Sequence, residues 1–504
     1  MAALPPDRLD PGLESGLVSE GVSIRGLAEA ADYLEGLINL EHLSDFPRER
    51  LNLGPIRQLL DRLGDPERGL SVLHVAGSKG KGSTSLFAES ILRAASERVG
   101  TFTSPHLESW TERFRIAGRE VEGDALARVV DSMRPHVEAL RRDPKTAPSF
   151  FDATTAAAIL LFRDARVDRA ILEVGLGGRL DSTNAIQSAV TCITSIELEH
   201  TDKLGNTLAE IAVEKAGILK PGVPCVMGRL PEEAAVVVRE RARLLGAPLC
   251  ELGRDFDLQR VAKTPRAEAL MEPVGVSFEA RDGFSAVAEI GVLGDHQISN
   301  AAVAIEAVRL LRRTNASENL AEVDRETAAA VSRGLVEAQL PGRIEVVGRQ
   351  PWVIVDGAHT AASARVLAEA VLRFPARRRH LVLSVSAGKN LAAILAALVP
   401  GAARITVTRA EARRSLPANE VEAAVRGLAP DLELSSVSDP HQAVRQAREA
   451  LAPEDLLCVA GSIYLAGVAR SIFLPRNPRA SSPAPHPPAA DELRASHRRR
   501  NDGA

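Results

Sequence analysis

Aromatic side chains are scarce in this chain of 504 residues: two Trp, two Tyr and 12 Phe make up 3% of it. Its interior must therefore be filled by Ala, Val, Leu and Ile. Cysteine is scarcer still. Cys192, Cys225, Cys250 and Cys458 lie far apart without paired or metal-binding spacing, which excludes a disulfide scaffold and predicts core thiols in a reducing cytosol. No apolar run approaches the roughly 20 residues that span a bilayer; the stretch from Ala156 to Phe162 is among the longest. From Met1 to Gly16 the chain carries prolines and acids where an export signal needs a basic segment and then an apolar one. Charge of either sign is also not in excess: 62 Lys and Arg face 66 Asp and Glu, a net charge of −4. Bulk electrostatics thus offers nothing to nucleic acid or an anionic membrane, and any anion site must be local. These absences predict a cytoplasmic protein with neither nucleic-acid nor membrane partners.

What is present, 45% hydrophobic and 25% charged residues, is the balance of a globular enzyme. The length exceeds one core and predicts two domains with tails. Helical spacing runs from Gly26 to Leu63 and breaks at Gly64-Asp65-Pro66. Ser71 to Ala76 then reads as a strand, followed by a glycine-rich turn and helix formers from Ser85 to Ala95. The pattern recurs: Arg169 to Val174 opens into Gly175-Leu-Gly-Gly178, and Val190 to Ile196 opens into a polar loop before a helix from Leu208 to Gly217. Alternation of this kind implies a mostly parallel sheet, with ligands outside the carboxyl ends of its strands. Glu251 to Leu293 reads as a β-rich excursion of open topology. After Leu340-Pro341-Gly342 a second series has strands at Trp352 to Val355, His380 to Val385, Arg404 to Val407 and Leu456 to Val459.

Chemistry concentrates in Gly77-Ser78-Lys79-Gly80-Lys81-Gly82-Ser83, set between a strand and a helix expected to begin near Ser83. There, backbone N–H groups and a helix dipole can face a polyphosphate. Lys81 can reach β- and γ-phosphate oxygens and Ser83 can coordinate Mg²⁺. The spacing departs from the ordinary P-loop because Gly82 separates lysine from serine. Glu173, at a strand's carboxyl end, is a hard ligand suited to Mg²⁺, whereas His200 alone reads equally well as a loop histidine. Asp356 follows the strand ending at Val355 and could accept from a ribose hydroxyl, or simply cap a turn. The fold class is therefore α/β: an N-terminal P-loop-type ATPase domain with a mostly parallel sheet, plus a smaller C-terminal Rossmann-like α/β domain. Its expected divisions are a flexible 1–22, an ATP-binding domain 23–338, a Rossmann-like domain 339–474 and a disordered tail 475–504.

The glycine loop resembles the Gly-Thr-Asn-Gly-Lys-Gly-Ser loop of the folylpolyglutamate synthase and dihydrofolate synthase family, a branch of the Mur ligase superfamily. His74-Val-Ala-Gly77, Thr103-Ser-Pro-His-Leu107, Leu172 to Asp181 with Thr183-Asn184, Glu214 to Ile218, Leu340-Pro-Gly-Arg343, Asp356-Gly-Ala-His359 and Gly461-Ser-Ile-Tyr-Leu465 look like further family signatures in order. The resemblance spans about Arg57 to Leu465. It implies a Mur-ligase-like central domain and a C-terminal ligase domain. It implies ATP and two Mg²⁺ ions as cofactors, with Ser83, Ser104, Glu173, His200 and Lys215 as metal ligands and Lys215 carbamylated. ATP would be held by Gly77, Ser78, Lys79, Gly80, Lys81, Gly82 and Ser83, with Asn300 near the adenine, His359 beside the nucleotide with Asp356, and Arg343 at the γ-phosphate. Catalysis would fall to Lys81, Glu173, His200, Lys215 and Arg343. Ser78 and Lys79 replace the family's usual Thr and Asn, Thr360 replaces an Asn, Lys389-Asn390 a Lys-Asp pair, and Phe151-Asp152 a Phe-Glu pair. The last three departures bear on amino-acid and folate specificity.

The implied reaction joins the amine of L-glutamate to a folate-type carboxylate through an acyl phosphate, as bifunctional dihydrofolate synthase and folylpolyglutamate synthase. Its partners would be folates or dihydropteroate, L-glutamate and ATP, and the enzyme a monomer. The competing readings are folylpolyglutamate synthase alone, a cell-wall Mur-type amino-acid ligase, and an inactive nucleotide-binding relative.

Overall fold

A computed structural model describes residues 23–39, 52–261, 272–314, 319–412 and 414–475. The expected flexible start and the tail from 476 lie outside them. The first domain is built on an eight-stranded sheet: β1 (Val72–Ala76), β2 (Val99–Phe102), β3 (Phe114–Ile116), β4 (Arg119–Glu120), β5 (Arg169–Glu173), β6 (Val190–Ile193), β7 (Cys225–Met227) and β8 (Leu249–Glu251). Their order is β4-β3-β2-β5-β1-β6-β7-β8. The run from β2 to β8 is parallel, and β3 and β4 join antiparallel at one edge. Every residue of β1 is buried, as in a parallel sheet covered on both faces. Successive side chains serve different cores: Leu73 and Val75 join Phe87 and Ile91, while Val72 joins Phe102 and Phe162.

The β-rich excursion resolves as an antiparallel sheet of β9 (Phe256–Arg260), β10 (Val274–Ala280) and β11 (Ser285–Ile290), with β10 in the centre. Along β11 exposed and buried residues alternate strictly, and Ala286, Ala288 and Ile290 enter the same core as β1.

The second domain holds β12 (Glu345–Arg349), β13 (Trp352–Val355), β14 (Arg379–Leu383), β15 (Arg404–Val407), β16 (Glu433–Ser436) and β17 (Leu456–Ala460), in the order β12-β13-β17-β14-β15-β16. Only β12 runs antiparallel to its neighbour. No helix among the described residues is long and apolar enough to cross a membrane.

The helix after the glycine loop spans Lys81–Ala94, two residues earlier than expected. Gly80, at φ +83°, takes the left-handed turn that lets Lys81 be the first helical residue. This helix is clamped between Asp295–Arg313 and Leu320–Glu337. At Gly334 the backbones nearly touch: an added Cβ would stand 2.6 Å from Ile91 Cα. Ser90 Oγ closes the contact by donating to the Gly334 carbonyl at 2.7 Å. Gly334→Ala should therefore destabilise the chain by about 1–3 kcal/mol through overpacking. Urea unfolding measures it, and an unchanged midpoint would show that the helices separate freely.

Candidate active site

The glycine loop is fixed by the segment that follows β6. Ser78 N–H donates to the Ser195 carbonyl at 2.7 Å, Lys79 N–H to Ser195 Oγ at 2.9 Å, and Thr194 Oγ1 to the Lys79 carbonyl at 2.6 Å. Glu197 N–H donates to Ser78 Oγ at 2.9 Å. The approach is so close that a Cβ on Gly77 would lie 2.0 Å from Thr194 Oγ1, and one on Gly80 2.3 Å from Asn300 Oδ1. Asn300 is thus brought against the loop, its amide donating to Gln297 Oε1.

Three ammonium groups converge here. Lys81 Nζ donates to the Gly77 carbonyl at 3.1 Å and Lys215 Nζ to the same carbonyl at 2.9 Å. Glu199 bridges the others, 3.1 Å from Lys215 and 3.4 Å from Lys79. Burial alone would raise the Glu199 carboxyl, but Lys215, Lys81 and Lys79 outweigh it and hold it down at about 2. Burial also pushes Lys215 down to about 8 against the pull of Glu199. Glu199 was not foreseen. Its signal was an acid in the loop that follows a parallel strand, next to a histidine already singled out.

Glu173 ends β5 with its carboxylate turned toward the loop: Ser104 N–H donates to Oε2 at 3.1 Å, and a Cβ on Gly82 would lie 3.5 Å from the same oxygen. Burial raises its pKa, opposed by Lys81 and Arg343. His200 lies at φ 47° before a short helix, on the exposed side of the loop. Among the described residues no three His, Cys, Asp or Glu side chains cluster as a metal site.

From the second domain, Arg343 acts electrostatically on Glu173, Asp356 and His359 together. Its Nη1 donates to the Gly342 carbonyl at 3.0 Å. Asp356 is a backbone clasp: its oxygens accept from Ile344 N–H and Ala358 N–H, both at 2.6 Å, leaving further lone pairs on each oxygen. Burial raises its carboxyl to about 6. His359 is buried, its pKa lowered to about 3, so Nδ1 carries the proton that it donates to the Gly357 carbonyl at 2.7 Å. Lys389 acts on Lys79, His200 and His359 from the second domain, which places it in the same cleft.

The three departures noted above are all helix caps. Thr360 caps Ala361–Leu372, Asn390 caps Leu391–Leu398, and Asp152 completes a capping box with Ser149 at the head of Phe150–Asp164. Each substitute can make the capping hydrogen bond, so these helix starts are preserved.

Residues 75–308 match the Mur ligase middle domain and 342–463 the Mur ligase glutamate ligase domain, which defines the chain as a Mur-type ligase. It is 31% identical to the dihydrofolate synthase/folylpolyglutamate synthase of Mycobacterium tuberculosis, over 90% of this chain and 96% of that one. It is 37% identical to a probable bifunctional folylpolyglutamate synthase/dihydropteroate synthase of Halobacterium salinarum over 82% of its own length, but spans only 48% of that relative. A crystal structure of a bifunctional folylpolyglutamate synthase/dihydrofolate synthase with Mn, AMPPNP and L-glutamate bound superposes with a TM-score of 0.71 at 30% identity, covering 89% of this chain and 98% of that one. The chain belongs to the folylpolyglutamate synthase/dihydrofolate synthase family.

Burial holds His74 at about 3 and His380 at about 4. The unfolded chain binds these protons near 6.5, so their contribution to stability is complete above that pH and is lost as pH falls toward 4. Melting temperature should fall with pH through this window, less steeply in His74→Gln. Identical slopes would contradict the assignment.

Proposed function

We propose that this chain is an ATP-dependent ligase that joins the amine of L-glutamate to the carboxylate of folate-type acceptors, serving dihydropteroate and reduced folates alike. The observation that carries the proposal is the convergence of Lys81 and Lys215 on the Gly77 carbonyl of the glycine loop, with the buried Glu173 carboxylate close against Gly82 of the same loop. A carboxylate does not yield to an amine directly because its leaving group would be oxide. Transfer of the γ-phosphoryl group of ATP makes an acyl phosphate, with ADP leaving. The glutamate amine then attacks the acyl carbon, forming the amide as phosphate departs. Lys81 and Arg343 are assigned to the transferring phosphoryl group, where fixed cations offset developing charge. Gly77, Ser78, Lys79, Gly80, Gly82 and Ser83 would cradle the polyphosphate, with Asn300, Asp356 and His359 shaping the nucleotide side.

The buried Glu173 carboxylate, with Ser104 held against it, fits a divalent cation, and His200 and Ser83 are assigned as further donors. When bound, such ions supply charge neutralisation on the phosphoryl group. The proposal takes two. Lys215 fits only once its ammonium has lost a proton and the resulting amine has added CO₂, forming an N–C bond and releasing a second proton, which turns the cation into an anion. The lowered pKa that burial gives this lysine supports that step. The fit of a glutamate-bound relative, with AMPPNP and Mn, supports the same assignment of substrates.

Purified enzyme given ATP, Mg²⁺, glutamate and either dihydropteroate or tetrahydrofolate should yield both glutamylated products by mass. Product from tetrahydrofolate alone would restrict the activity to tail extension, and product from neither would overturn the proposal. Lys81→Ala should lower turnover by about 100-fold or more while the fold persists. Near-parental turnover in a folded Lys81→Ala protein would remove Lys81 from the chemistry.

A further inference from the structure

The loop carrying Ser104 does not merely border the second domain; it is plugged into it. Leu107 packs with the second-domain cluster of Val353, Val355, Leu465 and Ala466. Gly467 sits directly on its backbone, where an added Cβ would lie 2.0 Å from the Leu107 carbonyl oxygen, and Gly342 closes on its side chain from the other side. One turn beyond Gly467, on the helix Ile463–Phe473, Arg470 donates from Nη1 to Glu108 Oε1 at 2.5 Å and, through Nε and Nη2, to Glu345 at 2.7 and 3.1 Å. All three side chains are largely buried.

Each carboxylate leads to a different half of the site. Glu108 belongs to a loop stiffened by Glu112, whose carboxylate accepts from Leu107, Glu108 and Ser109 N–H at 2.6, 2.9 and 3.0 Å. Three residues before Leu107, Ser104 N–H holds Glu173. Glu345 accepts from Gly342 N–H at 2.7 Å, immediately before Arg343. One guanidinium therefore ties the strand-end carboxylate of the first domain to the arginine of the second. Without it, two largely buried carboxylates would lose the guanidinium they share, which weakens the tie between the two surfaces.

We infer that Arg470 is a positioning residue that latches the Ser104–Ser109 loop to the Arg343 segment and so sets the alignment of the two domains for phosphoryl transfer. The inference rests on the ligase reading, and its test separates the two. Arg470→Met keeps the apolar stem and removes the charge. Its kcat should fall about tenfold or more, since small misalignments are costly in transfer reactions. ADP affinity by calorimetry should stay within about twofold, because ADP lacks the γ-phosphate to which Arg343 is assigned and Arg470, Glu108 and Glu345 lie outside the Gly77–Ser83 loop. Glu108→Gln should lower kcat in the same direction, the double variant should be no worse than Arg470→Met, and Arg470→Lys should recover part of the loss. Small-angle scattering should show a larger radius of gyration in Arg470→Met whether or not ligation is detected. Parental kcat, additive losses, ADP affinity falling in step with kcat, or an unchanged radius of gyration would each overturn the latch. Absence of ligation in the parent enzyme would instead overturn the ligase reading, and the scattering comparison would still decide the latch.

Discussion

The site depends on positive charge gathered around one carbonyl. Lys81 and Lys215 both donate to the Gly77 oxygen, and Lys79 and Lys215 share Glu199. Ammonium groups drawn out of water need anionic or polar partners, and here Glu199 serves two of them while Glu173 and Glu197 act on Lys81 and Lys79. The same loop faces the positive end of the helix that starts at Lys81, which suits a polyanion. Its rigidity has the same origin: hydrogen bonds from the Thr194–Glu197 segment keep the glycines where side chains cannot intrude, so the field points one way before any ligand arrives.

The second domain completes this arrangement. Asp356 spends its carboxylate on the backbone at the β12–β13 junction, and that clasp fixes the segment carrying Arg343. Arg343 and Lys389 add positive charge from across the cleft, while His359 stays neutral. Binding of a triphosphate between the halves would draw them together, and the Leu107 plug with its Arg470 ion pairs gives that closure a defined geometry.

Much of this was legible from residue patterns. Val72–Ala76, Arg169–Glu173 and Val190–Ile193 are apolar runs that end in chemistry-bearing loops, and a parallel sheet places such loops along one edge, so the glycine loop and Glu173 could be located in advance. The strands Val99–Phe102 and Cys225–Met227 escaped because they are short and lack a distinctive period. The Ser195 anchor and the Arg470 latch escaped for a different reason: their partners lie far away in sequence, and no local spacing encodes such a meeting. Asp356 was located correctly at a strand end, but only the fold shows its oxygens turned onto backbone N–H groups.

The most direct test of the account follows oxygen rather than rate. Acceptor carboxylate labelled with oxygen-18 is ligated to glutamate in unlabelled water, and the released phosphate and the amide product are weighed. Activation through an acyl phosphate predicts one labelled oxygen in the phosphate, because the carboxylate oxygen that attacks the γ-phosphorus leaves with it. Phosphate free of label, with all of it retained in the product or lost to water, would contradict the account.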